Sequence, residues 1–160
     1  SPKYLLGGMG DGGGCHPRDN IALSWLARKI DLSHDWYENL MICRENQTEW
    51  LADLIQEHKG DLDVVILGKC FKKETNLTVG SPSILLKNIL DEKGVKCDMF
   101  DPWVDMGHIK MKKALYFIGT NHDVFMDYSF PEGSVVIDPW RYIKAQDGVT
   151  LISVGDSSNT

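Results

Sequence analysis

Two textures of hydrophobic residues divide the chain near residue 60. Before it, apolar side chains recur at helical spacing. Ile21, Leu23, Trp25, Leu26 and Ile30 predict a short helix, and Asp31-Leu32-Ser33-His34 a break. Trp36, Leu40, Trp50, Leu51, Leu54 and Ile55 predict a longer helix that stops at Lys59-Gly60, a cation in the last turn and glycine at the cap. After it come short, continuous, β-branched runs. Asp63-Val64-Val65-Ile66-Leu67-Gly68 reads as a strand buried on both faces. Ser81 as N-cap and Pro82 in the first turn open a helix over Ile84 to Leu90 that Gly94 ends. Further strands are predicted at Val95 to Phe100, Ala114 to Gly119, Ser134 to Asp138 and Thr150 to Val154. This alternation predicts an α/β fold, a Rossmann-like doubly wound parallel sheet behind a helical segment. The expected division is 1–60, 61–155 and a frayed tail at 156–160.

In such sheets ligands bind outside the carboxyl ends of the strands. Those ends carry Lys69 to Thr78, Asp101, Thr120 to Asp123 and Pro139 to Tyr142. Opposite them in composition stands the start of the chain, where Gly7, Gly8, Gly10, Gly12, Gly13 and Gly14 make a loop whose backbone can approach another group closely.

With 160 residues, 42% of them hydrophobic, one core is affordable without staples. The net charge of −6, with no Lys/Arg block, argues against nucleic-acid binding through phosphate neutralisation. No apolar run reaches the roughly 20 residues of a membrane span. The first residues lack a basic-then-apolar leader, and the four cysteines form no CxxC or zinc spacing. Together these predict a reducing, cytoplasmic setting and no metal. Cys43, Cys70 and Cys97 lie in helical or strand-like runs and read as small buried hydrophobes.

Cys15 differs, since it sits in the glycine loop, just before a helix predicted to begin near Pro17. Unpaired N–H groups, the helix dipole and Arg18 would favour a thiolate there, while Asp19 would oppose it. A nucleophile and a surface thiol both fit. The glycine loop lacks the GK[ST] of a P-loop and follows no strand, so it is not a dinucleotide fingerprint. Lys72 and Arg141 follow buried strands and read either as phosphate partners or as solvated turn charges. His16 and His122 read as polar loop residues, with no third ligand at useful spacing.

These segments, in order, resemble the central and C-terminal part of the UDP-glucose/GDP-mannose dehydrogenase family. Gly10 to Asp19 is similar to its GFGGxCxPKD loop, Ile66 to Lys72 to its ILGxxFK strand and turn, and Thr75 to Ser83 in part to its TxDxRxSPS stretch. Phe100-Asp101-Pro102 is similar to its YDP, and Val136 to Arg141 stands where it has a VxDGRN-like segment. The resemblance runs from about residue 4 to about residue 145. It implies two successive NAD-dependent oxidations of the C6 alcohol of a UDP- or GDP-sugar, ending in a uronic acid for polysaccharide biosynthesis. It implies Cys15 as the residue that carries the thiohemiacetal and thioester, and Asp19 as the group that positions the hydrolytic water. Tyr4, Gly10, Gly12, Gly13, Phe71, Lys72 and Arg141 would contact the nucleotide-sugar, Gly12 and Gly13 by letting it approach the backbone. A homodimer through the helical segment is implied as well.

The resemblance also has departures. The family's NAD-binding domain and its catalytic Lys and Asn have no counterpart in these residues, so NAD would come from a domain in cis or in trans, and this portion alone would be inactive. Leu77 and Val79 stand for the family's Asp and Arg, Arg18 for Lys, and the acidic Asp11 for an aromatic. Loss of an Arg removes a charge-assisted contact. The alternative is a non-catalytic nucleotide-binding or dimerisation module that keeps the fold without the chemistry.

Overall fold

The computed structural model describes residues 6–10 and 12–155. Tyr4, Asp11 and the tail 156–160 lie outside the described residues. The elements are α1 (Cys15–Lys29), α2 (Trp36–Lys59), β1 (Val64–Leu67), α3 (Pro82–Glu92), β2 (Cys97–Phe100), β3 (Leu115–Ile118), a 3-10 turn (Asp123–Asp127), β4 (Val135–Asp138) and β5 (Thr150–Ser153). All five strands are parallel, in the order β2-β1-β3-β4-β5. The α/β parallel sheet predicted from the strand runs is therefore present, each strand within two residues of its expected bounds.

Alternation along the strands builds two cores. Val64, Ile66, Leu115, Phe117 and Ile137 face Leu51, Ala52 and Ile55 of α2 and Leu86 and Leu90 of α3. Val65, Leu67, Tyr116, Ile118 and Val136 face the other way, toward Phe100, Phe125, Phe130 and Ile143. That second layer is supplied by the 3-10 turn and the loops around it rather than by long helices. α2 belongs to the first core through its C-terminal half, so the helical segment and the sheet share one hydrophobic interior. Leu86→Ala would cost about 2–5 kcal/mol.

The helix ends follow their caps. Asp35 caps α2, its Oδ1 accepting the amides of Tyr37 at 3.1 Å and Glu38 at 3.0 Å. The Ser81 hydroxyl caps α3 by accepting the Ser83 amide at 3.2 Å. α1 begins two residues earlier than the position of Pro17 suggests, because Pro17 fits within a first turn whose N–H groups have no helical partner anyway.

The short helix predicted around Ile21 to Ile30 is present as α1, with its large apolar residues turned outward. Ile21, Trp25, Leu26 and Ile30 are exposed, and Ser24 and Ala27 are the buried residues. Small side chains let α1 lie close against α2, and Ser24 donates to Asp35 Oδ2 at 2.6 Å. The apolar stripe of α1 is thus left facing outward, joined by Leu32, Trp36 and Leu40.

Candidate functional site

The glycine loop lies across the carboxyl edge of the sheet, and its glycines are explained by what they touch. A Cβ on Gly7 would stand 2.5 Å from the Pro139 carbonyl oxygen, and one on Gly8 2.8 Å from the Trp140 ring. Met9 is buried in the helix-side core. Gly13 donates its N–H to the Gly80 carbonyl at 3.1 Å. Cβ atoms on Gly12 and Gly13 would stand 3.2 and 3.1 Å from atoms of Phe71. Their missing side chains make room for the Phe71 turn. Gly10 is exposed, with φ +84° beside Gln47.

This docking fixes the start of α1. Cys15 is its first residue and is exposed; Gly14 offers no side-chain cap, and no acid stands in the first turn. The positive end of the helix dipole therefore lies at Cys15. Asp19 stands one turn on, the i+4 spacing that shares a face. Arg18 Nε meets Asp19 Oδ1 at 2.9 Å. The Arg18 guanidinium is raised above its ordinary value mainly by Asp19, with Cys15 acting in the same direction. A groove of about 460 Å³ lined by His16, Asn20, Leu40, Cys43, Arg44 and Gln47 runs between α1 and α2 beside this end. Cys43 is exposed on it, so the expectation of a buried thiol there is corrected: its position lies on the outward side of α2.

Phe71 is half-buried under the glycine loop, and Lys72 is exposed beside it. Arg141 is exposed on a turn built by one carboxylate. Asp138 Oδ1 accepts the amides of Trp140 at 2.9 Å and Arg141 at 3.0 Å, and Oδ2 those of Tyr142 and Ile143, both at 2.8 Å. These four bonds hold Arg141 at φ +59°, and its Cδ lies near Gly7. Leu77 and Val79 are both exposed. The structure thus joins Phe71, Gly12, Gly13 and the Cys15 end of α1 in one patch, with Arg141 at the other end of the same loop.

Below that patch lies a buried cluster that sequence spacing missed. Asp101 and His122 are fully buried, with Nε2 of His122 3.1 Å from Oδ2 of Asp101. His122 is a loop residue, as expected, but a buried one, its ring stacked on Trp103 at 4.3 Å and 8°. Asp101 Oδ2 also accepts the amides of Lys69 at 2.6 Å and Cys70 at 3.1 Å, and Oδ1 that of Trp103 at 2.9 Å. Burial alone would push the Asp101 carboxyl up, but these donors and His122 hold it well below the ordinary carboxylate range. Burial, with Asp101 alongside, pushes the Cys70 thiol up to about 12. The signal that marks this cluster is the Asp-Pro pair ending β2, which recurs at Asp138-Pro139.

Ligating atoms of Cys70, Asp101 and His122 lie within 4.8 Å of one another. Their protons do not suit a metal. The Glu74 amide donates to His122 Nδ1 at 2.9 Å, so the ring hydrogen sits on Nε2, toward Asp101. A ring ligating through Nε2 needs its hydrogen on Nδ1. The trio is a hydrogen-bonded network.

No protein-family model matches the chain. Over 157 residues, 98% of the chain, it is 28% identical to GDP-mannose 6-dehydrogenase of Pseudomonas aeruginosa, covering 34% of that protein. Over 105 residues, 66% of the chain, it is 34% identical to GDP-mannose 6-dehydrogenase of Azotobacter vinelandii, covering 24% of it. UDP-glucose 6-dehydrogenase of Rhizobium meliloti is 26% identical over 149 residues, 91% of the chain and 33% of that protein. The chain spans a quarter to a third of the length of these relatives. Among solved structures, a ternary complex of GDP-mannose dehydrogenase from Pseudomonas aeruginosa aligns with a TM-score of 0.74 at 24% identity, covering 94% of this chain and 41% of that one. UDP-D-ManNAc dehydrogenase from Pyrococcus horikoshii aligns with a TM-score of 0.74 at 21% identity, over 92% of this chain and 39% of its own. These structural likenesses establish the fold.

Proposed function

We propose, taking as premise the chain's resemblance to the UDP-glucose/GDP-mannose dehydrogenase family along nearly its whole length, that it is the cysteine-bearing and nucleotide-sugar-binding portion of a nucleotide-sugar 6-dehydrogenase. The reaction is oxidation of the C6 alcohol of a UDP- or GDP-linked sugar to the uronic acid. The observation that carries this reading is the docking of the Cys15 loop onto the turn before α3, through Gly13 N–H on the Gly80 carbonyl at 3.1 Å, which sets the loop against Phe71. It supports a single edge on which a nucleotide sugar held beside Lys72 has its C6 carbon near an exposed thiol.

Cys15 is the proposed catalytic residue. Its sulfur adds to C6 of the sugar aldehyde, and the aldehyde oxygen takes up a proton. The adduct then loses a hydride from C6, which NAD would accept, and its hydroxyl proton to become the thioester; water adds to C6, the C6–S bond breaks, and sulfur regains its proton. Asp19, one turn along α1, is the proposed holder of that water. Lys72 and Arg141 are the proposed partners of the phosphates, with Tyr4, Gly10 and Phe71 around the rest of the ligand. NAD is the hydride acceptor in this reading. The residues here do not fit it, since no strand precedes the glycine loop among the described residues and no GxGxxG opens a helix. A dinucleotide-binding domain in cis or in trans supplies it, and this portion alone is inactive.

Residues 1–60 then act as the catalytic and pairing segment and 61–155 as the sugar-nucleotide unit, in a cytoplasmic setting in keeping with four free cysteines. No helix among the described residues is long and apolar enough to cross a membrane. The outward stripe of Ile21, Trp25, Leu26 and Ile30 supports a homodimer through α1. A non-catalytic module is the second reading, favoured by the engagement of Asp19 by Arg18 at 2.9 Å. Acid formation by the protein together with a dinucleotide-binding domain separates the two: the first reading requires it in wild type and its loss in Cys15→Ser, and the second predicts none in either.

A further inference from the structure

We propose that His122, held by Asp101, is the positioning residue of the turn that carries Phe71 and Lys72, and so sets where Lys72 meets the anionic part of a nucleotide sugar; this rests on the function proposed above. The turn leaves β1 at Gly68 and closes on itself where the Phe71 amide donates to the Leu77 carbonyl at 3.1 Å. Inside it, the Thr75 hydroxyl donates to the Lys72 carbonyl and Cys70 Sγ to the Thr75 carbonyl, each at 2.9 Å. The turn contains a residue that must be held. Glu74 has φ +56°, a left-handed conformation that a side-chain-bearing residue adopts only when its surroundings determine it.

His122 is what holds it. Its Nδ1 accepts the Glu74 amide at 2.9 Å. Its Nε2 meets Asp101 Oδ2, the same oxygen that accepts the Lys69 and Cys70 amides at the start of the turn. One ring and one carboxylate therefore grip the turn at both ends of the Phe71-Lys72 pair. The ring cannot swing away, because Trp103 stacks on its face at 4.3 Å and Phe125 meets it edge-on at 5.5 Å. Tyr142 donates to the His122 carbonyl at 3.2 Å, which ties the same residue to the turn bearing Arg141. Lys73, next to Lys72, is drawn outward to Asp123 at 2.9 Å, which leaves Lys72 as the neighbouring cation on the turn. A fully buried imidazole is costly unless its polar atoms are used. Here both are used, one of them on the strained turn.

The test is calorimetric titration of the chain with UDP-glucose and with GDP-mannose, in wild type, His122→Leu, His122→Asn, Lys72→Ala and the His122→Leu/Lys72→Ala pair. His122→Asn keeps an acceptor where Nδ1 stands. For the sugar nucleotide that binds, His122→Leu should lower affinity about tenfold or more. His122→Asn should recover most of it, and the paired variant should bind little worse than Lys72→Ala, since both changes remove one contact. Wild-type affinity in His122→Leu alongside weakened Lys72→Ala overturns the proposal, as do additive losses. Should His122→Leu not fold, His122→Gln replaces it, with a donor at the Nε2 position and no acceptor at Nδ1. If wild type takes up neither sugar nucleotide, the proposed function fails. The positioning role is then read from amide exchange. Faster exchange of Glu74 in His122→Leu, restored in His122→Asn while β1 and β3 stay protected, supports it; equal exchange overturns it.

Discussion

Gly13 and Gly80 meet backbone to backbone: the Gly13 amide donates to the Gly80 carbonyl at 3.1 Å, and a Cβ on Gly80 would stand 2.2 Å from the Gly13 carbonyl oxygen. Two segments far apart in sequence, the Cys15 loop and the turn before α3, are made into one surface by the absence of two side chains. Gly80 also holds φ +71°, so alanine there suffers both the clash and the strained backbone. Gly80→Ala should lower the unfolding free energy by about 1–3 kcal/mol. Denaturant unfolding checks this, and an unchanged midpoint would mean that the loop is not docked as described.

The cysteines divide into two classes. Cys15 and Cys43 are exposed, Cys70 is buried, and Cys97 is half-buried. Burial pushes the Cys70 thiol up to about 12, and burial followed by the carboxylates of Asp91 and Asp98 pushes Cys97 up to about 11, although Lys87 acts against it. Thiolate is the reactive form. Brief alkylation with iodoacetamide at pH 8 should therefore modify Cys15 and Cys43 in the folded chain and leave Cys70 and Cys97 intact, as read by peptide mass. Early modification of Cys70 would contradict the buried cluster.

Asp101 ties stability to pH. Its folded carboxyl titrates below the ordinary value of about 3.9. A depressed carboxylate contributes stability in full above its unfolded value, and loses it as pH falls from there toward the folded one. Asp101→Asn should be less stable than wild type by about 1.5–3 kcal/mol at pH 7, the worth of hydrogen bonds to a charged group, and the gap should narrow below about pH 4. Urea midpoints at pH 7 and pH 3 measure it. A gap that widens on acidification would reverse the sign of the argument.

The outward face of α1 makes a prediction about assembly. Ile21 is 59% and Trp25 62% exposed, and their i+4 spacing aligns them on one side. Sedimentation of the chain should give a dimer, and Ile21→Glu with Trp25→Glu a monomer with an unchanged circular dichroism spectrum. A monomeric wild type, or a dimer that survives both changes, would leave that face without its proposed role.

Much of this was legible in the residues. The strand runs at Val64, Leu115 and Val135 are apolar on both faces, which is what a parallel strand requires, and the Ser81-Pro82 start of α3 is a local signal that tertiary contacts do not override. The face of α1 was not legible. Helical periodicity shows which residues share a side, and Ser24 and Ala27 won the inner side because they allow close approach to α2. The His122–Asp101 pair was hidden for another reason: the two residues lie on loops after β3 and β2, and only the strand order brings those loops together over the end of β1. The packing of Gly12 and Gly13 against Phe71 was hidden likewise, because Phe71 lies far along the chain.

The central claim is that the carboxyl edge holding Phe71 and Lys72 beside the Cys15 loop is a nucleotide-sugar site. Calorimetric titration of the chain with UDP-glucose, GDP-mannose and NAD, one at a time, tests it most directly. Saturable binding of one sugar nucleotide, with no heat from NAD, is the predicted result. Binding of NAD without either sugar nucleotide, or of none of the three, would contradict it.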